Sequence, residues 1–97
     1  MKVSNLNGTS KPKYSCRCGS WLRHWHNYSG QMANQCRAAG CSSTAAVGAH
    51  VKKTMGNDTS WYIVPFCHAH NRMGNAIELV FGTELVPANQ SETCGLR

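Results

Sequence analysis

Hydrophobic and polar positions divide the 97-residue chain into stretches of different period. Residues 1–13 are polar and include Gly8 and Pro12, which predicts a flexible N-terminal arm ahead of a single domain over residues 14–97. Trp21, Trp25 and Tyr28 then recur at i, i+4 and i+7, the spacing of one helix face, with Ser20 placed to cap the helix and Gly30 to end it. With so few large apolar residues in the chain, this aromatic stripe reads as core rather than as a platform for bases. The segment from Ala45 to Val51 is small and β-compatible, Met55-Gly-Asn-Asp58 is a turn cluster, and Trp61-Tyr-Ile-Val64 has the aromatic and β-branched composition of a strand that Pro65 stops. From Ala69 to Leu79 the spacing is helical, with Met73, Ile77 and Val80 inward, and residues 79–87 suggest a last strand or extended tail.

A core with two Phe, three Trp and three Tyr is thin for a domain of this size, which needs a staple. Six cysteines and five histidines supply it. The first residues hold no apolar stretch of the length a secretory signal needs, and no run approaches the ~20 apolar residues of a membrane span. The expectation is therefore a cytoplasmic chain with no membrane contact, whose thiols stay reduced and bind metal rather than pair as disulfides. Cys36-x-x-x-x-Cys41 precedes the two strand segments, and Cys67-x-x-His70 lies between the second of them and the helical segment. Two such ligand pairs across a ββ unit can close a tetrahedral zinc site, so Cys36, Cys41, Cys67 and His70 are the expected structural Zn²⁺ ligands. The alternatives are His68 in place of His70, or Cys36 as a buried thiol. Cys16, Cys18 and Cys94 remain, with His24 and His26 nearby. They would form a second zinc site with one of those histidines, pinning both chain ends to the body, or else remain as free or oxidised thiols.

The formal net charge is +6. Three thiolates subtract three charges and one Zn²⁺ returns two, so a metallated chain stays basic. Basic charge favours anionic partners, with nucleic acid first through phosphate contacts, although a soluble protein can simply be basic. The lysines fall in short groups, Lys11 with Lys13 and Lys52 with Lys53, rather than in one dense block.

The succession Cys36…Cys41, Val47-Gly-Ala-His50-Val and Ile63-Val-Pro-Phe-Cys67-His-Ala-His70-Asn71 resembles the HNH, or His-Me finger, nucleases over about residues 36–80. The resemblance implies a small α+β treble-clef or ββα unit, built from a zinc knuckle, a β-hairpin and a helix, here with an N-terminal helical or loop extension. It implies His50 as general base, Asn71 at the position that binds a catalytic Mg²⁺ or other divalent cation, and Cys67 and His70 as structural zinc ligands. Lys52, Lys53 and Arg72 would then hold the phosphate backbone. The chain departs from the family at two places: Ala49 stands where an acidic residue commonly precedes the histidine, and no residue of Asn57-Asp-Thr-Ser-Trp61 matches the family's central asparagine. The leading expectation is a nuclease-like domain acting on nucleic acid, a metal-dependent endonuclease if active, and the alternative is a non-catalytic zinc-finger module binding nucleic acid or a protein, monomeric by default.

Overall fold

The computed structural model describes residues 1–6 and 19–88. In chain order the elements are β1 (Lys2–Asn5), α1 (Trp21–Ser29), β2 (Val47–Lys53), β3 (Tyr62–Phe66), α2 (His68–Asn71), β4 (Ile77–Glu78) and β5 (Val86–Pro87). The five strands form one antiparallel sheet in the order β4-β1-β2-β3-β5. The expected α+β class is what the chain adopts, with a larger sheet than a lone hairpin.

The hairpin β2–β3 is the centre of the sheet, paired from Val47 opposite Phe66 to Val51 opposite Tyr62. Side chains alternate across a strand. Ala49, Val51, Val64 and Phe66 therefore point to one face, where they pack with Val3, Cys36, Cys67, Ile77 and Leu79. Gly48, His50 and Ile63 belong to the other face, on which α1 lies with Trp25 against Ile63 and Val86.

The α1 helix starts where the sequence puts its cap: the Ser20 hydroxyl accepts from the Arg23 amide at 3.1 Å, and Gly30 ends it with φ of 73°. Its aromatic stripe is only partly core. Trp25 is fully buried and donates its indole N–H to the Glu84 carbonyl at 2.8 Å, with the Arg37 guanidinium 5.0 Å over its ring. Trp21 is half-buried, and Tyr28 is exposed. Close approach of α1 to the sheet depends on Gly48, where a Cβ would stand 2.3 Å from the Trp21 carbonyl carbon.

Three expectations are corrected. Residues Lys2–Asn5 are not part of a flexible arm: they form β1 between β2 and β4, with Val3 wholly buried. One apolar residue among polar ones is the period of a short strand, and in a polar segment that signal is lost. Residues 7–13 of the expected arm lie outside the described residues. Pro65 does not stop β3, which runs on to Phe66. Its carbonyl accepts from the Arg37 amide at 2.9 Å, and in a strand a residue's N–H and C=O point to the same side. The missing N–H therefore lies away from β2, where no ladder bond is lost. The helical reading of Ala69–Leu79 fails after Asn71. The Arg72 and Met73 amides reach back only three residues, to Ala69 and His70, and Gly74 and Asn75 follow. Ile77 and Leu79 are buried with Glu78 exposed between them, which is the strand period, while Met73 and Val80 are exposed.

Candidate metal centre

Cys36 and Cys41 flank a tight loop. The Cys41 amide bonds to the Ala38 carbonyl at 3.0 Å and the Cys36 amide to the Ser43 carbonyl at 3.0 Å, with Gly40 at a φ of 81° making the bend. The loop is sewn to the body on two sides. Arg37 binds the Pro65 carbonyl of β3, and Ala39 binds the Glu78 carbonyl of β4 at 2.8 Å. Cys67 ends the run of β3 and caps α2, whose first turn is closed by the Asn71 amide on the Cys67 carbonyl. His70, one turn later, comes back to the same side as Cys67.

These pieces bring four ligand atoms together. The donor atoms of Cys36, Cys41, Cys67 and His70 all lie within 4.8 Å of one another. His70 Nδ1 is 3.2 Å from Cys67 Sγ and 3.7 Å from Cys36 Sγ, and the Cys41 and Cys67 sulfurs are 4.0 Å apart. A tetrahedral ion with metal–sulfur and metal–nitrogen bonds of ~2.3 and ~2.0 Å needs donor separations of about 3.5–3.8 Å. The set lies close enough together that it could hold a metal ion, and its Cys₃His donors are compatible with zinc. None of the three cysteines is in a disulfide. His68, the alternative to His70, is exposed and outside the group.

Local electrostatics suit a cation. Burial pushes the Cys36 thiol up to about 11, against backbone N–H bonds from Ala38 and Cys67 that favour its thiolate. Cys41 is held below the ordinary thiol value, first by the backbone N–H of Ser43. Each cysteine of the loop thus accepts from the amide two residues on. A buried thiolate still lacks the water that would stabilise it, and a bound cation supplies that stabilisation.

The other expected site residues are not gathered in one place. His50 is 4% exposed on the α1 face of β2, with its ring 4.7 Å from that of Trp21 and 6.0 Å from that of Trp61. Asn71 accepts through Oδ1 from Asn5 Nδ2 at 2.8 Å, and Asn5 shares the face of its partner Val51, the metal side of the sheet. His50 and Asn71 therefore do not form the expected base–cation pair, because the one-residue alternation of β2 turns His50 to the opposite face. Lys53 pairs with Asp58 at 3.2 Å and lies over the Tyr62 ring, whereas Lys52 points to the other face and is exposed. Arg72 is exposed at the end of α2, so the three cations do not share one surface. Of the second expected zinc set, Cys16, Cys18 and Cys94 lie outside the described residues. His24 is fully buried with Nε2 2.9 Å from the Pro87 carbonyl, and His26 is exposed with Nδ1 3.0 Å from the Gln31 carbonyl. What the sequence reading missed is that His24 and His50 share one aromatic wall. The signal was Trp21, three residues before His24 on the same helix face.

Among the described residues, no helix is long and apolar enough to cross a membrane. Comparisons of the chain with protein-family models, with curated proteins and with solved structures return no match.

Proposed function

We propose that this chain is a zinc-stabilised, non-catalytic module that binds nucleic acid. The observation that carries the reading is the Cys₃His group on Cys36, Cys41, Cys67 and His70. Four protein ligands fill the coordination of a tetrahedral ion and leave no position for water or substrate, which is the pattern of structural rather than catalytic zinc. The ion would tie the loop before β2 to the turn after β3, in the order knuckle, hairpin, helix that belongs to treble-clef units. Holding these three segments together is the chemistry the metal supplies.

Separation of His50 from Asn71 by the thickness of the sheet supports the binding module over the endonuclease. Burial of His50 supports it as well, since a general base must reach the water it deprotonates. Nucleic acid is favoured as the partner by the charge, which remains +5 after three thiolates and one Zn²⁺ are counted on the formal +6. Lys52 and Arg72 are both exposed and would contact phosphates without reading bases.

Purified protein is expected to contain zinc and to bind duplex or single-stranded nucleic acid with an affinity that falls log-linearly with salt, by ~0.7–0.9 log units per decade for each phosphate neutralised. Absence of zinc by elemental analysis, or absence of binding to either form at low salt, would refute the reading. Plasmid incubated with Mg²⁺, Mn²⁺ or Ni²⁺ is expected to stay intact. Nicking by wild type that His50→Ala abolishes would replace the binding module with the endonuclease.

A further inference from the structure

We propose that Phe81 is a stacking platform for one base of a single-stranded nucleic acid whose phosphates meet Arg23 and His26 on the outer side of α1. The inference rests on the nucleic-acid reading above and narrows it to single strands.

Phe81 is 101% exposed, although a ring of this size ordinarily ends in a core. The turn that carries it is tied down on both sides. The Val80 amide donates to the Arg37 carbonyl at 2.8 Å. The Thr83 amide and hydroxyl both return to the Val80 carbonyl, at 3.1 and 2.7 Å, and Gly82 takes a φ of 84°. The Gln31 side chain grips the far limb, donating from Nε2 to the Gly82 carbonyl at 3.0 Å and accepting through Oε1 from the Glu84 amide at 3.2 Å. The Trp25 indole N–H on the Glu84 carbonyl ties the same limb to α1. These bonds fix the backbone on either side of Phe81 and keep it at the tip, in water. An aromatic ring held in place beforehand removes part of the ordering cost of binding.

The surroundings of the turn name the partner. Gln31, which holds the turn by its side chain, accepts through its carbonyl from His26 Nδ1 at 3.0 Å. His26 and Arg23, one helical turn apart and both exposed, line a shallow depression of about 340 Å³ with Leu22 and Ala33. Arg37 flanks the turn, with Nη2 on the Met32 carbonyl at 3.2 Å, and Lys52 belongs to the face of the sheet that α1 covers. Helix α1 carries no acidic residue, and Glu84 is the single acid of the turn. Cations beside an exposed ring match a polymer of phosphates and flat bases, the phosphates taking the charge and a base taking the ring. A duplex offers the phosphates but keeps its bases stacked on one another, so Phe81 gains nothing from it. An apolar pocket on a protein would take Phe81 and leave the cations unused.

The test titrates the full chain with a mixed-sequence single strand of ~20 nucleotides and with the blunt duplex of the same sequence. Wild type is expected to bind the strand more tightly than the duplex. Phe81→Ala should weaken binding of the strand roughly 5- to 150-fold, the loss of one stacked base, with duplex affinity and thermal melt unchanged. Phe81→Tyr keeps a ring that stacks and should bind like wild type, whereas Phe81→Leu keeps only apolar bulk and should lose as much as alanine. Arg23→Ala should instead lower the salt dependence by ~0.7 log units per decade. Wild-type affinity for the strand in Phe81→Ala overturns the proposal. Wild-type affinity in Phe81→Leu with loss in Phe81→Ala overturns it as well, and assigns the ring to apolar packing. In both cases the nucleic-acid reading survives, because wild type still binds. Absence of binding of strand and duplex by wild type at low salt refutes that reading, and the proposal with it.

Discussion

Gly48 and Asp58 show how much single positions decide here. At Gly48 the backbone of α1 occupies the space a side chain would need, so Gly48→Ala must push helix and sheet apart. Urea denaturation is expected to show a loss of about 3 kcal/mol or more, the upper end for overpacking. Gly74→Ala is the control, because a Cβ there meets nothing within 4 Å, and it should change stability by less than about 0.5 kcal/mol. Asp58 accepts from the Tyr62 hydroxyl, from the Ser60 amide at 2.9 Å and from Lys53 at 3.2 Å, and these bonds, the tyrosine first, hold its carboxyl below the ordinary value of 3.8. A depressed carboxylate stabilises the fold above its unfolded pKa and loses that contribution as pH falls below about 4. The stability difference between wild type and Asp58→Asn should therefore shrink on acidification through that range. A constant difference from pH 7 to pH 3 would show that the hairpin turn gains nothing from the charge.

Strands of four and two residues are too short to be stable alone, and each is held by what lies beside it. β1 pairs on both edges, and its one apolar residue, Val3, is sealed between the neighbouring strands and the metal-side core. Truncation by Val3→Ala is expected to cost about 2 kcal/mol, from two lost methyl groups and the space they leave. Lys2→Ala, at an exposed position of the same strand, should be near neutral. Equal effects in thermal melts would mean that β1 is not packed as described. Helix α1 obeys local rules more fully: Ser20→Ala removes the cap bond to Arg23 and should cost ~1 kcal/mol.

At the scale of the whole molecule, an ion held by the Cys₃His group would cross-link the metal-side core. It would join the loop at Cys36–Cys41, already stitched to β3 and β4, with the turn at Cys67–His70. Structural zinc contributes ~10–16 kcal/mol of apparent binding energy in small zinc domains, more than the whole stability of many domains. Strong chelation is therefore expected to unfold the protein, and Cys67→Ser should abolish tight zinc binding and cooperative melting together. An unchanged melting curve after chelation would show that the core holds without the metal.

The sequence determined what depends on neighbours along the chain. Helix α1 and its cap, the hairpin, and the four candidate ligands in two spaced pairs were all legible, because each is written within a few residues. The tertiary structure decided what depends on neighbours across the sheet. It made residues 2–5 a strand, since only β2 and β4 reveal a partner for so polar a segment. It carried β3 through Pro65 by turning the missing donor away from the ladder. It set His50 beside Trp21 rather than beside Asn71, because the face a strand residue takes is fixed by register and not by its place in a motif.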